Sequence, residues 1–359
     1  MTSPRVLLVA KGLDVGGIER IVVDLAVGLA AAGTTVEVAV VNEHRGALVP
    51  VLEAAGIVVH ALRGSDRVGL GAARRLWRLA RAGRFDVVHA HGPLPAVVVR
   101  VARRRSAVST SHTPWSALRR STRVAVRLTG RREVCSVAVS AAVQASLPRV
   151  MAQRSMVIPH GVDAGAVADA RRAAAGSQGG TGAVVAIAVA SHRDAKNHPN
   201  LLRAVRHARG RGADVRLVAV GEGPLLDAHR RLADDLGIGD AVQWYPPVGN
   251  VLPLIAESDL LVVSSDYEGQ PLVVGEALAV GVPVVATAVG RVPELVGRDV
   301  GRVVAPGDPV ALGEAIAELA LDGELRQSMR NAALAHGAGR TIDDVVADHL
   351  DLYRRIVER

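Results

Sequence analysis

Aromatic side chains are nearly missing from this chain, with three Trp, three Tyr and one Phe in 359 residues. An interior without rings must be filled by Val, Leu, Ala and Ile, as in parallel sheets covered on both faces. Lysine is scarce as well: only Lys11 and Lys196 occur, and arginine carries the rest of the positive charge. The lone cysteine, Cys135, excludes an internal disulfide and sits in an apolar run as a small core residue. No apolar stretch reaches the roughly 20 residues of a membrane-spanning helix. The opening Met1-Thr-Ser-Pro-Arg-Val-Leu-Leu-Val-Ala10 reads as a short strand rather than a signal peptide. Together these absences favour the cytoplasm. An Asp-x-Asp motif is also lacking, the nearest look-alike being Asp266-Tyr267-Glu268, and no Cys/His set has zinc spacing. No metal and no other cofactor is therefore expected.

What is abundant is arginine, and it is unevenly spread. Residues 1–170 hold 23 Lys+Arg against 11 Asp+Glu (net +12), and residues 171–359 hold 20 against 24 (net −4). The first half is thus suited to something anionic. Its arginines are not interleaved with stacking aromatics, which speaks against nucleic acid and for a phosphorylated acceptor or an anionic membrane surface. One segment concentrates this character: Trp115–Arg132 puts Arg120, Arg123 and Arg127 on one helical stripe beside Leu118, Val124, Ala125 and Leu128. It suits a membrane surface or an acceptor phosphate, and equally a solvated face on a core helix.

Short apolar strands alternate with helical segments twice along the chain. The first run has strands at Val6–Ala10, Val36–Val41, Ile57–His60, Val87–His89, Ala107–Thr110 and Val137–Val139. The second has them at Val184–Ala190, Val215–Val220, Val242–Trp244, Leu260–Ser264, Val284–Thr287 and Gly301–Val304. This spacing predicts an α/β protein of two doubly wound parallel sheets. The domains are expected at 1–170 and 183–340, joined by a linker over 164–182 that ends in a Gly-rich stretch, with a last helix in 341–359.

The residues with most chemical content are Glu268-Gly269-Gln270-Pro271-Leu272-Val-Val-Gly-Glu276. They follow the strand Leu260–Ser264, where open α/β sheets place ligands. Backbone N–H groups from Gly269 to Leu272 would open a helix and attract an anion, with Glu276 two turns in, roughly 12 Å along the axis. Two carboxylates flanking an anion site suit a phosphate ligand with hydroxyls on both sides; two solvated glutamates at a helix start are the plain alternative. Four other loops share the pattern of a strand end bearing glycine, histidine or a cation. Lys11-Gly-Leu-Asp-Val-Gly16-Gly17-Ile-Glu19 follows the first strand, although it is not the Gly-x-Gly-x-x-Gly of dinucleotide sites. His89-Ala-His91-Gly92 and Ser111-His112-Thr113 end two further strands, and Ser191-His192-Arg193-Asp194-Ala195-Lys196-Asn197 opens the second half. Val220-Gly221-Glu-Gly-Pro224 makes a tight turn.

These segments together resemble family 4 of the retaining glycosyltransferases with the GT-B fold, most clearly from Ala190 to Glu294. The resemblance implies two Rossmann-like domains facing each other across a cleft, the last helix crossing back to the first domain, and transfer from an NDP-sugar (UDP or GDP). It implies that Glu268 contacts the donor sugar, that Glu276 holds the ribose, and that Lys196 with Arg193 clamps the pyrophosphate. Gly16, Gly17, Gly221 and Gly269–Leu272 would line the donor. His112 would orient the sugar or stabilise charge, and Glu19 and His91 would lie on the acceptor side. The match departs from the family at Ala190-Ser191, where Gly-Arg is usual, and at His160, where Asn is usual in Pro-Asn-Gly-Val-Asp. The acceptor could be lipid-linked, a saccharide or a small molecule, with peripheral contact to the inner face of the cell membrane as an expectation. A nucleotide-sugar epimerase and a non-catalytic sugar-binding protein are the alternatives. A phosphorylase would need a pyridoxal-phosphate lysine that neither Lys11 nor Lys196 is placed to provide.

Overall fold

Strands whose residues are buried on both faces cannot alternate apolar with polar, and they do not: all five residues of β1 (Val6–Ala10) are buried. The computed structural model describes residues 3–42, 46–64, 69–103, 106–175, 182–337 and 339–358. It divides into two units, one of Met1–Gly161 with Ile342–Arg359, the other of Val162–Thr341.

The first unit carries a seven-stranded sheet. After β1 come β2 (Val36–Asn42), β3 (Val58–Gly64), β4 (Val87–His91), β5 (Ala107–Ser111), β6 (Cys135–Ala138) and β7 (Ser155–Val157), in the spatial order β3-β2-β1-β4-β5-β6-β7. The second unit holds β8 (Val184–Val189), β9 (Val215–Val220), β10 (Val242–Tyr245), β11 (Leu260–Val263), β12 (Val284–Thr287) and β13 (Gly301–Val304), ordered β10-β9-β8-β11-β12-β13. All of these pairings are parallel. In each sheet the order reverses once, between β1 and β4 and between β8 and β11. Such switch points leave a crevice at the carboxyl ends of the strands, and both sheets place their glycine-, histidine- and cation-bearing loops there.

Two features differ from the expectation. Strand β7 was not anticipated, because three residues carry too little periodicity to show. Ala164–Ala174, expected within the linker, is a helix capped by Asp163, whose side chain accepts from the N–H of Ala166. It buries Val167, Ala170 and Ala174 in the second unit's core, so the division falls at Gly161 rather than 170. The Gly-rich residues 176–181 lie outside the described residues. The last helix, Ile342–Val357, packs as expected in the first unit, on the helix Gly17–Ala31. Its Val345, Val346, Leu350, Tyr353 and Ile356 join the core beneath β1 and β2. Contact is close enough that a Cβ on Gly28 would lie 2.4 Å from Val346 Cγ2. No helix among the described residues is long and apolar enough to cross a membrane.

Candidate functional site

In the second unit the candidate residues converge at the β8/β11 switch. Lys196 lies on a one-turn helix, Asp194–Lys196, that ends in Asn197 with φ +44°, a left-handed conformation that asparagine tolerates. The Asn197 side chain accepts from the N–H of Asn200 and so caps the helix His198–Gly210. Its amide nitrogen donates to Asp266 Oδ1 at 2.7 Å. This turn brings Lys196 Nζ to 2.5 Å from Glu268 Oε1, across 72 residues of sequence. The pair is half-sheltered, with side-chain exposures of 27% and 13%. Ser265 Oγ donates to the same Oε1 at 2.8 Å, and Ser264 Oγ donates to the Lys196 carbonyl at 2.9 Å. Thr287 Oγ1 in turn donates to the Ser265 carbonyl at 2.6 Å, tying the end of β12 into the same loop. Both carboxylates of the Asp266-Tyr267-Glu268 look-alike are thus engaged by protein donors.

The helix after this loop begins at Leu272 and has no side-chain cap. Its first N–H groups are oriented for an anion. Glu276 is its fifth residue, about 6 Å along the axis, one turn in rather than two, because Gly269–Pro271 stay in the loop. Gly290 closes on that loop at φ +53°, where a Cβ would sit 2.4 Å from the Gly269 carbonyl oxygen. Gly221, at φ +151°, approaches the loop after β8 so closely that a Cβ would meet the Ala190 oxygen at 2.2 Å. Only glycine fits either place without moving backbone. Arg193 is exposed on the same turn as Lys196.

In the first unit, Gly16 precedes the helix Gly17–Ala31 and Glu19 lies in its first turn. Across the switch, β4 and β5 build a stack of imidazoles. His91 Nδ1 is 3.2 Å from His112 Nε2, and the His112 and His160 rings stack at 5.5 Å. His89 bonds Tyr353 through Nδ1 and Thr110 through Nε2, both at 2.7 Å, so its role is structural. Burial, reinforced by His349, pushes His112 down to about 3, and burial likewise holds His89 and His91 well below their usual value of 6.5. These are neutral imidazoles at physiological pH: His112 can hydrogen-bond or orient a ligand but carries no charge to stabilise one. Its Nδ1 has no partner among the described residues, and it lines a hollow with Gly92, Arg100, Thr110 and Trp115. Behind that hollow, Arg100 and Glu133 form an ion pair at 2.9 Å with both side chains 2% exposed or less. Burial raises the Glu133 carboxyl against the opposing pull of Arg100.

The candidate residues thus fall into two sets. Gly16, Gly17, Glu19, His91 and His112 lie at the first sheet's switch, and Arg193, Lys196, Gly221, Glu268–Leu272 and Glu276 at the second's. Reading the sequence missed the serines and threonine that orient Glu268. It also missed a second imidazole group, His192, His198 and His229, whose spacing matches no metal signature but which the fold gathers into one place.

Comparison with known proteins adds to this geometry. The family model for glycosyl transferases group 1 matches residues 173–336, and that for Glycosyltransferase Family 4 matches residues 15–165. A D-inositol 3-phosphate glycosyltransferase of Geodermatophilus obscurus is 31% identical over an alignment spanning 93% of this chain and 84% of that protein. The N-acetyl-alpha-D-glucosaminyl L-malate synthase of Bacillus anthracis is 36% identical over 121 residues, 33% of this chain and 32% of that protein. Among solved structures, Anabaena Alr3699/HepE in complex with UDP and glucose superposes with a TM-score of 0.82 at 21% identity, covering 97% of this chain and 99% of that one. At that identity the likeness speaks for the fold.

Proposed function

Because the chain belongs to glycosyltransferase family 4, with the GT-B fold, we propose that it transfers a sugar from a nucleoside-diphosphate sugar with retention of anomeric configuration. The observation that carries this reading is the Lys196–Glu268 pair at the β8/β11 switch, beside an uncapped helix N-terminus. A diphosphate placed there meets the ammonium of Lys196, the guanidinium of Arg193 and the N–H groups of Gly269, Gln270 and Leu272, Pro271 having none. Binding would draw Lys196 toward the phosphates and free Glu268 to accept from sugar hydroxyls, while Glu276 one turn on takes the ribose. As the glycosidic bond breaks, charge grows on the leaving phosphate, where fixed cations and backbone dipoles stabilise it most. The departing phosphate can itself take the acceptor's proton, so no separate protein base is required, and His112, held neutral, serves to orient. That Anabaena Alr3699/HepE is described in complex with UDP-glucose supports a nucleotide-sugar donor.

The test is a panel of UDP-, GDP- and ADP-sugars followed for slow hydrolysis without acceptor. One donor should be hydrolysed well above the others, and added Mg2+ or Mn2+ should leave the rate unchanged. Hydrolysis of none, or a strict need for either ion, would refute the reading.

The acceptor reading rests on the helix Arg120–Thr129, whose Val124 and Leu128 are 59% and 76% exposed beside the exposed Arg120 and Arg127. Apolar and cationic groups presented together suit an anionic membrane surface carrying a lipid-linked acceptor. Co-sedimentation with vesicles containing phosphatidylserine should fall when Arg120, Arg123 and Arg127 become Gln. No wild-type binding at low salt would point to a soluble acceptor instead.

A further inference from the structure

The imidazoles of His192, His198 and His229 come from three separate elements: the loop after β8, the first residue of the helix His198–Gly210, and the helix Leu226–Asp235. All three side chains are buried, at 3% exposure or less. One ring nitrogen from each lies within 4.8 Å of the others, and His192 Nδ1 is 2.9 Å from His229 Nδ1. Two nitrogens of the group, His192 Nε2 and His198 Nδ1, are buried with no partner among the described residues. Buried polar atoms are rarely left so, and three converging imidazoles with spare lone pairs are chemically a ligand set.

We propose that His192, His198 and His229 form a binding site for one transition-metal ion of the zinc class, held by one nitrogen from each ring. Zinc–nitrogen bonds of about 2.0–2.1 Å in tetrahedral geometry separate ligand nitrogens by roughly 3.3 Å. The observed spread therefore closes by small ring rotations. The backbone around the site is already fixed: the His192 N–H donates to Glu222 O at 2.8 Å, and the His192 carbonyl accepts from the N–H of Leu225 at 3.2 Å. Gly223, at φ +154°, leaves no room for a side chain above His192, since a Cβ there would meet its carbonyl oxygen at 2.5 Å. Trp244 walls one side, 5.6 Å from the His192 ring.

Burial, before any charge, depresses all three histidines, His192 to about 4 and His198 to about 3, so the rings are in the neutral form that ligates. Asp194 contributes a negative charge felt at His229, whereas Arg230 at His192 and Lys196 at His198 oppose a cation. That mixed field, with an all-nitrogen donor set, disfavours Mg2+ and Ca2+ and selects ions with high imidazole affinity such as Zn2+ and Co2+. A bound ion would clamp the loop that carries Lys196 to the turn at Gly221–Leu225. It is a structural ion, separate from the phosphate-neutralising groups, and its existence does not depend on the proposed reaction.

The test uses the untagged full chain, stripped with chelator, exposed to Zn2+ or Co2+ and dialysed. Elemental analysis should find one retained Zn2+ per chain, and Co2+ should give the intense visible bands of a four-coordinate site made of three imidazole nitrogens and one water. His198→Gln and His229→Gln should weaken Zn2+ binding by more than about 100-fold, since even outer-shell changes cost 10–100-fold. His207→Gln, on the same helix but outside the group, should bind as wild type. Zn2+ should raise the melting temperature of wild type and of the His207 variant only. No retained metal, or equal retention by the His198 and His229 variants, overturns the proposal. Should those variants fail to fold, the wild-type Co2+ spectrum and its displacement by Zn2+ decide alone.

Discussion

Replacing Lys196 with Ala separates the proposed pyrophosphate contact from general disruption of the fold. Its ammonium, 2.5 Å from Glu268 Oε1 and 27% exposed, sits where a diphosphate would be neutralised. A unit charge about 4 Å away is worth roughly 4 kcal/mol at an effective dielectric of 20, before desolvation is subtracted. Measured hydrogen bonds to charged groups come to about 1.5–3 kcal/mol net. Partial exposure puts Lys196 in the lower half of that range, about 1.5–2 kcal/mol, or about 10–30-fold in Kd. Nucleoside diphosphate and sugar donor should both weaken by this factor in calorimetry, while the free nucleoside should bind as before. The Glu268→Gln variant provides the opposite pattern. Its amide oxygen still accepts from Ser265 and Lys196, yet the charge that holds Lys196 is gone, so diphosphate affinity should stay level or rise while donor hydrolysis falls. Raising the salt should shrink the Lys196 effect, because the pair is not fully sheltered. Equal loss of nucleoside and diphosphate affinity in Lys196→Ala, or no loss of either, would refute the placement of the pyrophosphate.

Two further outcomes concern the first unit. Arg100→Leu strands the buried Glu133 carboxylate and should cost about 3–5 kcal/mol of unfolding free energy; adding Glu133→Gln should recover part of it, and a loss under about 1 kcal/mol in urea titration would show that the pair is dispensable. His89, His91 and His112 are held neutral when folded, with His112 at about 3, against 6.5 unfolded. Below pH 6.5 the unfolded chain therefore binds the extra protons, so stability is fully present above that value and falls on acidification, at up to about 1.4 kcal/mol per pH unit for each histidine. Denaturant unfolding that is equally stable at pH 7 and pH 5 would contradict this.

Much of the site is legible in local sequence because strand–loop–helix units are local objects. Apolar runs such as Leu260–Val263 announce buried parallel strands, and loops placed directly after them fall at the ligand-bearing edge whatever the rest of the chain does. Glu268 and Lys196 were readable in this way, as residues of the right chemistry at the right ends of strands. Their contact was not: it joins positions 72 apart, and only the placing of β8 beside β11 in the sheet order makes them neighbours. Local pattern also blurs element ends, which is why Glu276 proved to lie one turn into its helix, and why Ala164–Ala174 looked like linker until its alanines and Val167 found a core to bury against. The two imidazole groups were likewise beyond local reading. His89 and His91 share β4, but His112, His160 and His349 come from three other segments, the last from the far end of the chain, and His192, His198 and His229 come from a loop and two helices. Periodicity along the chain records which face of an element is buried. It holds no information about which buried faces meet, and that is decided only when the elements pack.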